Sequence, residues 1–262
     1  MPERTETGAP TPSSMLTGGR MLVWAGLVLM IAVAWIALAV LHPEAELTLE
    51  TVRVLCLEVG TGAGLAFYPA VLAMWLLMSV AMMLPTAMPA IDLYASLARR
   101  MDSGGTLRIA LFTGGYLIAW GAFSAVAAAA QLGLGTIPAS LLPPALAGGA
   151  VLIVAGAYQL SALKARCLAK CRNPMMFLMS HWREDLPGTL RLGILHGIIC
   201  VGCCWALMLL MFIGGTMNLF WMALLGLAML GEKVLPHAET WGRGAGVLMI
   251  GIGAAMVAAT TI

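Results

Sequence analysis

Residues 189–213 read TLRLGILHGIICVGCCWALMLLMFI, with Arg191 as the only charged residue. About 20 mostly apolar residues cross ~30 Å of hydrocarbon as a helix, and this run meets that length. Working outward, six more stretches qualify, at about 21–41, 69–89, 107–130, 144–163, 215–231 and 244–262. The stretch at 215–231 is short. His42-Pro43 and Tyr68-Pro69 read as boundaries, because the residue before a proline is pushed out of the helical region. The reading is an all-α, polytopic transmembrane helix bundle of about seven spans, with residues 21–262 as one domain.

Composition agrees. The 262 residues are 61% apolar and 10% charged, where soluble domains average ~45–50% and ~25%. So few charges cannot coat a water-soluble globule, which excludes an ordinary cytosolic enzyme and a disordered chain. A net charge of +2 is too small for a surface that tracks nucleic-acid phosphates. The medium is the lipid bilayer, and the chain is expected to cross it several times. The first stretch contains Trp24 and Trp35 and exceeds the apolar core of a signal peptide, so it is expected to be retained.

Lys and Arg mark the inner side of a membrane. With the N-terminus inside, that side holds Arg4, Arg20, Arg99, Arg100 and Arg108. The basic inner loop 164–190 and its flank add Lys164, Arg166, Lys170, Arg172, Arg183 and Arg191. Lys233 and Arg243 complete the set, and Arg53 alone lies outside. This asymmetry predicts N-in and C-out. Residues 1–20 read as a polar, disordered tail. Residues 42–68 read as an acidic outer loop with a short interfacial helix around 46–59. Gly60-Thr61-Gly62-Ala63-Gly64 reads as a flexible turn, since neither a strand nor a lysine frames it as a phosphate loop.

The chemistry lies in His196-x3-Cys200-x2-Cys203-Cys204. At ~100° per residue, with His196 at zero, Cys200 falls at about 40°, Cys203 at about −20° and Cys204 at about 80°. Leu207 and Met211 continue this stripe. One intramembrane cysteine is ordinary packing. Three thiols on one stripe with an imidazole point to metal, since a histidine inside a span is costly and usually functional. One helix cannot wrap all four donors around a tetrahedral ion, so other helices are expected to contribute. Thiolate and thioether donors together favour Cu(I). Zinc, which makes little use of methionine, is the runner-up.

The chain has 20 methionines and six cysteines. Met74, Met78 and Met82 form an i, i+4, i+8 row that serves either as core filler or as a thioether ladder, with Met83 beside it. Pro85 removes a backbone donor and frees a carbonyl that neighbours must satisfy. Cys167 and Cys171 lie among Lys164, Arg166, Lys170 and Arg172, as a metal exchange pair or as incidental thiols. Glu232 is a candidate ligand or base, or a partner of Lys233. His237 is a weaker candidate, Asn218 a candidate helix–helix hydrogen bond, and Cys56 stands alone. Gly242-x3-Gly246 allows close helix packing.

Several motifs together carry a family resemblance. They are Trp75-x2-Met78-x3-Met82-Met83-x-Pro85, Tyr158-Gln159-x4-Lys164-x2-Cys167-Leu168-x2-Cys171-Arg172-x-Pro174, and Gly193-x2-His196-Gly197-x2-Cys200-x-Gly202-Cys203-Cys204-Trp205. Gly214-x2-Met217-Asn218-x2-Trp221-Met222 and Glu232-Lys233-x2-Pro236 continue the likeness over about residues 70–260. Together these motifs resemble the bacterial predicted metal-binding integral membrane proteins, a family of unknown function with a Gly-Cys-Cys-Trp transmembrane motif. The resemblance implies metal binding in a bacterial inner (plasma) membrane, leaves the reaction open, and allows a complex with a small partner protein.

The leading functional expectation is copper handling. Cys167 and Cys171 would exchange Cu(I) with His196, Cys200, Cys203 and Cys204, aided by Met82, for transport or delivery to a client protein. A copper-dependent membrane oxidoreductase acting on a lipophilic substrate is the alternative. Thiol redox through Cys200-x2-Cys203 is a weaker one, since exchange requires an accessible sulfur.

Overall fold

The computed structural model describes residues 12–41, 68–98, 105–138, 140–141, 143–215, 218–236 and 238–260. Every regular element among them is a helix. The first three are α1 (Pro12–Leu41), α2 (Tyr68–Ala98) and α3 (Gly105–Gly135). Next come α4 (Pro144–Gln159), α5 (Ala162–Arg172), α6 (Pro174–His181) and α7 (Leu186–Leu209). The chain closes with α8 (Met211–Gly214), α9 (Leu219–Val234) and α10 (Ala238–Ala258). The expected outer loop, with Cys56 and the glycine turn, falls outside the described residues, as does His237. The first helix begins at Pro12, within the stretch that composition reads as a tail; proline suits the first turn, where an N–H has no helical partner.

Four helical segments are long and apolar enough to cross a membrane: Tyr68–Ala98, Gly105–Gly135, Leu186–Gly214 and Ala238–Ala258. Trp24–Val40 is a shorter apolar helix. Two of the expected spans differ from simple rods. The stretch 144–163 ends at Gln159 and turns by 62° into α5, where Ser161 caps the new helix by accepting from the Lys164 N–H at 3.2 Å. The stretch 215–231 starts late. Gly215 sits at φ 87°, a left-handed conformation that suits glycine, and Asn218 caps α9 by accepting from the Trp221 N–H at 3.0 Å. The resulting 16 residues extend only about 24 Å. The basic segment 164–190 likewise carries α5 and α6.

Pro85 and Pro89 lie inside α2. Pro85 has no N–H for the Ala81 carbonyl, and the Trp35 indole on α1 supplies one at 3.2 Å. The sequence expectation of a neighbouring donor is thereby met.

Small residues bring two helix pairs close, as is common in apolar bundles. Between α4 and α10, a Cβ on Gly149 would lie 2.8 Å from the Gly253 carbonyl, and one on Gly246 would lie 3.0 Å from the Gly156 carbonyl. Between α3 and α7, a Cβ on Gly197 would lie 2.6 Å from the Ala119 methyl and 2.9 Å from the Tyr116 carbonyl. The second contact presses Tyr116 and Phe112 against the face of α7 that carries His196 and Cys200.

Candidate metal centre

The three thiols of α7 converge. The ligand atoms of Cys200, Cys203 and Cys204 all lie within 4.8 Å of one another, and they are the one such group of His, Cys, Asp and Glu among the described residues. Each of the three is 1% exposed. The Cys203 and Cys204 sulfurs are 3.3 Å apart. Helical spacing sets the cluster: residues three and four apart share a face. A fourth thiol comes from another helix, with Cys171 Sγ of α5 lying 3.7 Å from Cys203 Sγ. The bend after Gln159 carries α5 back against α7 and makes this contact. Cys167, Cys171 and the three α7 cysteines are all free thiols.

Two polar groups close on Cys200. The Tyr116 hydroxyl lies 3.2 Å from Cys200 Sγ and donates to the Met83 carbonyl at 2.9 Å. Lys233 Nζ at the end of α9 donates to Cys200 Sγ at 3.0 Å and to Thr86 Oγ1 at 2.7 Å. Thr86 in turn donates to the Met83 carbonyl at 2.8 Å. The corner of the cluster therefore draws on α2, α3, α7 and α9. Four thiol sulfurs inside an apolar bundle make a soft-donor site that could hold a soft metal ion.

The other predicted residues take varied positions. His196 is buried on the same stripe, but its ring packs among Phe112 at 5.8 Å, Tyr116 at 5.8 Å and Phe177 at 5.4 Å, and it is not in the three-thiol group. Cys167 lies over Gly202, where an added Cβ would come 2.9 Å from its sulfur. Gly202 is about 100° around α7 from Cys203, so Cys167 flanks the cluster. Met78, Met82 and Met83 are buried in the core. Met82 faces Gly226 of α9, and Met83 reaches the site through its carbonyl.

Glu232 does not pair with Lys233. It forms an ion pair with Lys164 at 2.7 Å, and Gln159 bridges the two by donating to the Glu232 carboxylate and accepting from the Lys164 ammonium. Adjacent positions on a helix point ~100° apart, so Glu232 turns to α4 and α5 while Lys233 turns to α7. Tyr158 donates to the Gly202 carbonyl and packs edge-on against Trp205 at 4.7 Å, fixing the end of α4 on α7.

Sequence reasoning missed Tyr116 and Thr86 altogether. A single tyrosine in an apolar helix carries no local mark of its partner. Lys233 was legible only as a charge near a helix end, and the motif Glu232-Lys233-x2-Pro236 was the available signal.

A thiol cluster gathered from two helices inside an all-helical apolar bundle defines a helical protein with a candidate soft-metal site. The model of a family described as PpoB2, copper chaperone, matches residues 72–256. The chain belongs to this copper chaperone family. No curated protein and no solved structure matches it.

Proposed function

We propose that this protein is a seven-span membrane copper chaperone that holds Cu(I) on two thiolates at a time among Cys200, Cys203, Cys204 and Cys171 and passes it to a client protein. The N-terminus lies inside and the C-terminus outside, in a bacterial inner membrane. The four long apolar helices support a membrane setting, and the seven apolar stretches of the sequence with the one-sided distribution of Lys and Arg support the span count and orientation. The observation that carries the metal assignment is the contact of thiols across helices: Cys171 of α5 lies 3.7 Å from Cys203 of α7, which in turn lies 3.3 Å from Cys204. Closely spaced soft donors on separate helices allow copper to move by ligand exchange, since one sulfur can bind before another releases. Copper here is cargo. The thioether-rich core around Met78, Met82 and Met83 keeps water from the site, and Tyr116 orients Cys200.

The test is metal content of the full chain, purified reduced in detergent, loaded with Cu(I) and dialysed against a competing chelator. Wild type is expected to retain a single Cu(I) per chain. Cys200→Ser and Cys203→Ser are expected to lose it while keeping the helical circular-dichroism signal. Unchanged copper in both variants would overturn the site, and retention of zinc in preference to copper would overturn the metal.

A further inference from the structure

One residue, Lys233, links the buried cluster to the surface. Where the ends of α5 and α9 meet the start of α10 lies a cavity of about 580 Å³ lined by Arg172, Asn173, Lys233, Glu239 and Thr240 among others. Lys233 belongs to both places, lining the cavity and donating to Cys200 Sγ at 3.0 Å. Cys171, one residue before the cavity-lining Arg172 in α5, contacts Cys203 at 3.7 Å. The cavity volume lies within the ~300–1,000 Å³ typical of small-molecule sites.

The charges around it are unequal. Arg172 lies 4.0 Å from Glu239 and donates to the Leu235 carbonyl at 2.9 Å. Glu232 is taken by Lys164. Among the described residues no carboxylate forms an ion pair with Lys233. An ammonium in an apolar bundle calls for a counter-charge. Cu(I) held by two thiolates carries one negative charge, which supplies it.

We propose that this cavity is the port through which Cu(I) arrives as the anionic two-thiolate complex of a small thiol compound, and that Lys233 draws in that anion and neutralises the copper dithiolate formed in the cluster. This rests on the copper-binding reading above. In the exchange, two copper–sulfur bonds to the carrier break and two to cluster cysteines form. The two cysteine protons pass to the departing sulfurs, which leave as thiols. Copper stays Cu(I), and the single negative charge stays with the new complex beside the Lys233 ammonium. Under the proposed orientation the port opens on the inner, reducing side, where free thiols persist.

The experiment measures the loading rate of the reduced full chain, by copper–thiolate ultraviolet absorbance, from two donors: the anionic Cu(I)–glutathione complex and the cationic Cu(I)–acetonitrile complex. Lys233→Gln is expected to lower the ratio of the first rate to the second by about ten-fold or more, and Lys233→Arg to restore it. Thr240→Trp, at the exposed wall, is expected to slow the bulky donor more than the small one, and it keeps the test alive if Lys233→Gln does not fold. Equal slowing of both donors, or no change in either variant, would overturn the port. If wild type takes copper from neither donor, the copper-binding reading itself fails.

Discussion

Glu232 and Lys233 are neighbours at the end of α9, yet they belong to two differently built corners of the molecule. On one side Glu232, Lys164 and Gln159 form a closed ring of hydrogen bonds across three helices. Every charge there has its opposite, and its role is to fix the bent joint between α4 and α5. On the other side, among the described residues, Lys233 donates to Thr86 Oγ1 and Cys200 Sγ and pairs with no carboxylate. The closed corner is an architectural clamp, and the open corner leaves a charge for cargo to meet. The two lysines, Lys164 and Lys233, thus do different work according to whether a carboxylate shares their site.

Breaking the closed corner should have the largest effect on stability. Removing one partner of a buried ion pair typically costs about 3–5 kcal/mol, because the other charge is left unpaired. Glu232→Ala is therefore expected to lower the unfolding midpoint of the detergent-solubilised protein sharply, by circular dichroism. The double variant Lys164→Met with Glu232→Leu should recover most of that loss, since no lone charge remains. A double variant as unstable as the single one would mean that the ring contributes more than charge pairing.

A smaller effect is expected at the open corner. Tyr116→Phe deletes the hydroxyl that donates to the Met83 carbonyl and touches Cys200. A single buried hydrogen bond is worth about 1 kcal/mol, so stability should fall only slightly. Copper should still bind but be released faster to a chelator, because Cys200 loses one of its two orienting contacts. Stability and release that are both unchanged would remove Tyr116 from the site.

The contrast between the corners also explains what the sequence could tell. The stripe of Cys200, Cys203 and Cys204 was legible because one helix and its period determine it. Cys171 was legible as a thiol but not as the neighbour of Cys203, because that contact depends on the 62° turn between α4 and α5. The apolar character of 144–163 as a whole conceals this turn, and only Tyr158, Gln159 and Ser161 interrupt it there. His196 shares the stripe, yet its packing depends on Phe112 and Phe177, which approach from α3 and α6. The pairing of Glu232 with Lys233 was a reading from adjacency, and helix geometry sends the two side chains to different neighbours. Helix content and apolar length follow from local pattern; partners across helices do not.

X-ray absorption at the copper edge of the Cu(I)-loaded full chain tests the central claim most directly. An edge typical of Cu(I) with a first shell made of sulfur alone is the predicted result. A Cu(II) edge, or a first shell dominated by nitrogen or oxygen, would contradict the account.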